Sequence, residues 1–373
     1  MNSIRSRLQA EQNIMPDQIQ KHSCYRIASI PGDGIGPEVI EAAETVVNCA
    51  AKAIGFDVEI QRFPWGTDFY KMTGSYIPDD GLAVLKQYDA ILFGAVGSPD
   101  IPDHLSLWGL LLRLRGSMQL FANIRPIRCF TKPRLVDIDA NDIDWMFIRE
   151  NSEGEYSGHG GRSHIGQAWE VATDTSIFTR HGVERIMEFA FEIAATRPKK
   201  HLTVVTKSNA LRHGLVLWDE VAAEVAGRFP HVTHDMMLVD AMTVRMVQKP
   251  NSIDTVVGTN LHIDILSDLA AALAGSIGIA SSGNLDPTRA WPSMFEPVHG
   301  SAFDITVKGI ANPIGAIWAA AEMLSWVGEE TAAENIMEAI RTVCKSGQLT
   351  RDMGGAGTTD SVTKAICEAV LRH

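Results

Sequence analysis

The sequence predicts an α/β protein built of two lobes, and three observations carry that reading. Apolar strand-like runs alternate with helix-like runs from residue 25 onward, the same alternation resumes near residue 145, and 373 residues are enough for two sizeable cores. YRIASI (25–30) reads as the first strand and runs into the turn PGDGIGPE (31–38). VIEAAETVVNCAAKAIG then repeats its apolar residues at helical spacing and stops on Gly55. DVEIQRF (57–63) alternates like a strand, DDGLAVLKQY (79–88) starts acidic like a helix, and DAILFGAVG (89–97) reads as a buried parallel strand. The second series runs WMFIRE (145–150), GVERIMEFAFEIAAT, HLTVVTK (201–207), LVLWDEVAAEVAGRF, and strands near THDMMLVD and IDTVVGTN. Helices follow in NPIGAIWAAAEMLSWVG and TAAENIMEAIRTVCKSG. Strand, helix, strand, helix implies parallel strands with helices on both faces. The Gly- and His-rich stretch 154–175 reads as a surface loop or as a two-stranded arm reaching a partner subunit.

Composition narrows the function classes. A net charge of −12 disfavours non-specific binding to nucleic acid or anionic membranes, and no apolar run approaches the ~20 residues of a membrane span. Cys24, Cys49, Cys129, Cys344 and Cys367 are scattered and never form a CxxC pair, so reduced thiols are expected rather than a disulfide framework or zinc knuckle. The polar first 22 residues read as a flexible tail. Arg5 and Arg7 hint at a transit peptide, but Glu11 and Asp17 favour a cytoplasmic protein over mitochondrial import.

The turn Gly32-Asp33-Gly34-Ile35-Gly36-Pro37-Glu38 follows a strand and opens a helix, yet it is not a Rossmann fingerprint. Its spacing is GxGxG, Pro37 removes an N–H donor, and no acidic residue ends a second strand in the expected context. A tight strand-to-helix turn explains it better.

Three groups of side chains are candidates for chemistry. Arg113, Arg115, Arg125 and Arg128 fall within 16 positions, with Arg149 ending the next strand. Guanidinium forks suit bidentate capture of carboxylates, although a solvated basic face has the same pattern. Asp264 and Asp268 are spaced i, i+4, so a helix puts both carboxylates on one face. Such a pair repels itself unless a cation bridges it, and oxygen-only ligation suits Mg2+ or Mn2+. The plainer account is an exposed acidic face, which the apolar neighbours Ile263, Ile265, Leu266, Leu269 and Ala270 weaken. Lys207 at the end of HLTVVTK and Tyr156 in RENSEGEYSG are candidate proton carriers.

In sequence order, IPGDGIGPE, LRLRG with IRP, IRENSEGEYSG, TKSNALRHG, VDAMTVRMV, NLHIDILSDLAA, FEPVHGSA and GIANP resemble the metal-dependent decarboxylating dehydrogenases of the isocitrate/isopropylmalate dehydrogenase family, and most of all its tartrate and D-malate branch. The resemblance implies a two-domain isopropylmalate-dehydrogenase-like fold with a large mixed central sheet flanked by helices. It implies an NAD-binding domain from 23–120 plus 277–373, and a substrate, metal and dimerisation domain from 121–276 that includes the 154–175 arm. Carried over by position, Arg115, Arg125 and Arg149 would bind substrate carboxylates, Tyr156 would protonate the enol, and Lys207 would act on the substrate hydroxyl. Asp240, Asp264 and Asp268 would hold Mn2+ or Mg2+, with K+ as a further candidate cofactor. Lys207 and Asp240 would enter the site from a second subunit, making a homodimer the active unit, with a tetramer also open.

The same resemblance assigns NAD to Glu296, His299, Gly300, Ala302, Asp304 and Asn312. The Asp304 carboxylate would accept a ribose 2′-OH and repel a 2′-phosphate. Leu107 and Trp108 shrink the substrate pocket toward a four-carbon 2-hydroxy diacid: D-malate giving pyruvate and CO2, or tartrate giving oxaloglycolate or its decarboxylated product. 3-Isopropylmalate dehydrogenase is the neighbouring alternative, and a catalytically silent ligand-binding subunit is the alternative of another class. Ile263 and Phe303 stand where the family usually has glycine and proline, and His262 where an aromatic is common.

Overall fold

The structure is a computed structural model that describes residues 23–131 and 143–372, and the tail expected at 1–22 lies outside them. Its Cα positions divide into two compact units, up to Leu120 together with Ser281 onward, and Phe121–Ala280 between them. The second crossing falls four residues beyond the Ser276/Ile277 boundary expected from the sequence.

The first unit opens with β1 (Cys24–Gly32), α1 (Gly36–Ile54), β2 (Asp57–Arg62), α2 (Thr67–Thr73), α3 (Gly81–Leu85) and β3 (Ala90–Ala95). Strand β1 lies between β2 and β3 and runs parallel to both. Every residue of β3 is buried, as its unbroken apolar run requires of a central parallel strand. Helix α1 carries Pro37 and Glu38 in its first turn and is capped by Gly55 in the left-handed region. Its Val39, Ile40, Ala43, Val46, Val47 and Ala50 are buried at helical spacing. The helix expected over 79–88 shortens to α3, and residues 86–89 form turns that lead into β3. After α4 (Asp103–Ser106) a π-helical turn spans Leu107–Leu111 before α5 (Leu112–Ser117).

The second unit holds β4 (Ala122–Arg128), β5 (Asp144–Glu150), the hairpin β6 (Gly154–Ser163) and β7 (Val171–Ile177), α6 (Arg180–Thr196), β8 (His201–Thr206), α7 (Gly214–Ala226), β9 (Thr233–Leu238), α8 (Val239–Gln248), β10 (Thr255–Gly258) and α9 (Asn260–Ala274). Its sheet order is β4-β5-β10-β8-β9, antiparallel only between β4 and β5. Trp145, Phe147, Phe189, Phe191 and Trp218 fill its core. The Gly-rich stretch forms the two-stranded alternative rather than a plain loop: β6 and β7 pair antiparallel in a sheet of their own.

The chain returns to the first unit with β11 (Ser281–Leu285) antiparallel to β12 (Ser293–Pro297), which is parallel to β3. Helices α10 (Ile314–Trp326), α11 (Glu330–Lys345) and α12 (Thr359–Val370) complete it, the last opening on a Thr358–Ser361 capping box. Each unit is therefore a mixed sheet with helices, as expected, and the GxGxG turn is structural. Gly34 has φ +60°, its Ile35 N–H donates to Ser301 O at 2.8 Å, and a Cβ there would fall 1.9 Å from that same oxygen. Gly32 (φ +70°) is barred from a side chain in the same way by Ala95 O. Among the described residues no helix is long and apolar enough to cross a membrane.

Gly34→Ala is expected to lower stability by about 1–3 kcal/mol, because it adds left-handed strain to a backbone collision. Gly116→Ala, in a helix with open space around the added methyl, is expected to gain about 0.5–1 kcal/mol. Urea unfolding of both variants checks the pair.

Candidate active site

Strand β4, the end of β5, the start of β6 and the first turns of α9 bring one cluster together in the second unit. Arg125 and Arg149 are almost fully buried, so their charges must be met locally. Arg149 donates through Nε to Asn260 Oδ1 at 2.8 Å and through Nη1 to Asp264 Oδ1. Arg125 donates through Nε to Asn123 Oδ1 at 2.9 Å and through Nη1 to Ser267 Oγ at 2.7 Å. The same Nη1 lies 3.3 Å from Asp264 Oδ1 and 3.9 Å from Asp268 Oδ1. Tyr156 donates its hydroxyl to Asp264 Oδ2 at 3.0 Å, and the Arg149 guanidinium stands 5.4 Å from its ring centroid.

Asp264 and Asp268 occupy one face of α9, as their spacing requires, with side chains 34% and 54% exposed. Burial raises the Asp268 carboxyl above the usual carboxylate range; Arg125 opposes that shift and Asp264 adds to it. Burial also raises the Tyr156 phenol, assisted by the Asp264 charge, so it stays protonated at neutral pH and can act as an acid. Two hard oxygen donors one helical turn apart, open to solvent on one side and backed by arginines, fit a divalent cation. Among the described residues of one chain, no group of three His, Cys, Asp or Glu side chains is arranged to hold a metal.

Asp240 pairs with Lys207 instead. The Lys207 Nζ donates to Asp240 Oδ1 at 2.5 Å across the ends of β8 and α8, and this bond lowers the Asp240 carboxyl. The two sequence-predicted proton carriers thus fall in separate clusters, Tyr156 with the Asp264 pair and Lys207 with Asp240.

In the first unit, Glu296 on β12 accepts from Arg115 Nη2 and from Asn284 Nδ2, both at 2.7 Å. His299, Gly300 and Ala302 form the loop that abuts the Gly34 turn, and Ala302 sits in the left-handed region at φ +40°. Burial lowers the His299 imidazole, and its Nε2 is buried with no hydrogen-bond partner among the described residues. An orphaned ring nitrogen beside this loop fits a bound polar ligand such as a dinucleotide. Asn312 donates to Asp352 Oδ2 at 2.9 Å and accepts from Ile314 N at 3.0 Å, fixing the start of α10. Asp304 is exposed, its carbonyl held by Lys308 Nζ at 2.6 Å. Leu107 and Trp108 project from the π-helical turn as exposed apolar groups.

Sequence reasoning missed Asn123, Asn260 and Ser267, which orient the two arginines. Only a three-dimensional pairing marks such neutral residues, since they lack the charge pattern that identified the arginines. Ile263 is fully buried, and a Cβ on Gly258 would lie 3.0 Å from its Cδ1, so the bare Gly258 leaves the space that the isoleucine fills.

Fold and site together define an α/β dehydrogenase outside the Rossmann scheme. Residues 26–370 match the family described as isocitrate/isopropylmalate dehydrogenase, and the chain belongs to that family. It is an oxidoreductase of the decarboxylating hydroxy-acid dehydrogenase class. It is 57% identical to a probable tartrate dehydrogenase/decarboxylase of Agrobacterium vitis over 93% of this chain and 98% of that one. It is 46% identical to a D-malate dehydrogenase (decarboxylating) of Escherichia coli strain K12, over 93% and 99%. Among solved structures, an isocitrate dehydrogenase from Methylococcus capsulatus matches with a TM-score of 0.85 and 34% identity, over 93% of this chain and 99% of that one.

Arg149→Ala is expected to destabilise the fold by about 3–5 kcal/mol, since it strips a buried charge from Asn260 and Asp264. Arg128→Ala breaks only a solvent-exposed pair with Asp144 and should cost less than about 1 kcal/mol. Denaturant midpoints of the two variants give the comparison.

Proposed function

We propose that this enzyme oxidises and decarboxylates a four-carbon 2-hydroxy diacid, D-malate or tartrate, with NAD and Mn2+ or Mg2+. The observation that carries the reading is the cluster of Asp264, Asp268, Arg125, Arg149 and Tyr156, which offers metal ligands, carboxylate receptors and an acid in one place. The similarity to tartrate and D-malate dehydrogenases supports the substrate class, and the apolar Leu107 and Trp108 supply no cation for a third carboxylate. The exposed Asp304 favours NAD over NADP by repelling a 2′-phosphate. An acidic protein with bacterial relatives of this kind suits the cytoplasm.

Asp264 and Asp268 would hold the cation with Asp240 of a second copy, where it would draw charge from the hydroxyl and developing enolate while NAD accepts the hydride. Arg115, Arg125 and Arg149 receive the substrate carboxylates. Lys207, also from the second copy, takes the C2 hydroxyl proton, and Tyr156 donates the proton that completes the product after CO2 leaves. Leu211, Met236, Val244, Val247 and Ile265 are exposed apolar groups in the unit that carries Lys207 and Asp240, the composition expected of a face covered by another copy.

The substrate assignment is tested by kcat/KM for D-malate, tartrate and isopropylmalate with NAD and Mn2+. A preference for either four-carbon diacid is expected, and a preference for isopropylmalate would contradict it. Site sharing is tested by mixing inactive Lys207→Ala and Asp264→Asn chains under conditions that exchange subunits. Hybrid dimers contain one intact site, so activity should return to roughly a quarter of wild type; no return would refute sharing.

A further inference from the structure

The geometry points to Glu155 as a positioning residue that clamps the first turn of α9 to β6, holding the Tyr156 hydroxyl against the Asp264 carboxylate. The inference rests on the proposed assignment of those two groups to one site. Glu155 Oε1 accepts from Thr259 Oγ1 at 3.0 Å, and Oε2 accepts from Leu261 N at 3.3 Å. Thr259 is the N-cap of α9, and its hydroxyl also accepts from His262 N at 3.3 Å. One carboxylate therefore satisfies a free helix N–H, orients the capping hydroxyl, and places negative charge at the positive end of the helix.

The position of Glu155 gives this clamp its consequence. It immediately precedes Tyr156 on β6, while Asp264 lies one turn into the helix whose start Glu155 holds. Beside this clamp, Asn260 Nδ2 reaches Glu153 O at 3.4 Å, and the 3.0 Å Tyr156–Asp264 bond is itself the contact to be kept. The far side of the same turn is fixed by Ile263 in the space over Gly258. Arg125 and Arg149 hold the body of α9 through Ser267, Asn260 and Asp264, so loosening Glu155 releases only the helix start from β6, and the Tyr156 hydroxyl is no longer pinned against Asp264.

The test compares Glu155→Ala and Glu155→Gln with wild type by hydrogen exchange of residues 259–266 and by turnover of D-malate. Glutamine can keep both contacts, its amide oxygen accepting from Leu261 N and its NH2 donating to Thr259 Oγ1. The alanine variant should exchange this segment about tenfold faster, with α6 unchanged, and lose about tenfold in kcat with little change in the KM for NAD. The glutamine variant should stay within about threefold of wild type in both readings. Unchanged exchange and kcat in the alanine variant would overturn the inference. So would equal impairment by glutamine, or faster exchange throughout the fold. If wild type itself turns over no diacid, the functional reading fails, and the exchange comparison still decides the role of Glu155.

Discussion

Two guanidinium groups buried on the neighbouring strands β4 and β5 require anions within reach, and among the described residues Asp264 supplies the nearest charge to both. That requirement sets where α9 starts, because Asp264 reaches Arg149 only if Thr259, Asn260 and Gly258 place the helix directly after β10. Asn260 serves the same end by accepting from Arg149 Nε. The balance stays incomplete: Asp268 keeps a raised carboxyl, and its neighbour is already committed to the arginines. A surplus of both signs in one place is poor as a purely structural device and good as a receptor for a cation and a dianion together.

Much of this was legible in the sequence. The i, i+4 spacing of Asp264 and Asp268 placed both on one helical face, and the wrong spacing of the Gly32–Gly36 turn correctly excluded a dinucleotide fingerprint. The glycines answer instead to backbone oxygens of Ala95 and Ser301, partners 63 and 267 residues away that no local pattern reveals. Periodicity recovered the long amphipathic helices α1, α6 and α11, where burial repeats at helical spacing, whereas α10 was legible from its apolar run and is buried on nearly every side. It missed β4, whose ANIRPIR mixes arginine and proline into a strand, and it missed α8, whose start falls at the end of the strand-like THDMMLVD. It also missed the neutral residues around the arginines, because hydrogen-bonding partners of buried charges need no charge of their own.

The division of proton carriers between two clusters gives the fold its functional logic. Tyr156 and the aspartate pair sit where β6 meets α9, whereas Lys207 and Asp240 sit at the ends of β8 and α8. Under the proposed function these groups would meet when a second copy completes the site, which would tie activity to assembly.

The most direct measurement of that claim is Mn2+ binding to the purified protein, followed by the electron paramagnetic resonance of the free ion. Asp240→Asn is compared with Asp264→Asn and with wild type. If the cation is held by Asp264 and Asp268 and completed from a second copy, wild type binds one ion per chain, and both substitutions weaken binding by a similar factor. Undiminished Mn2+ binding by the Asp240→Asn protein would contradict the account.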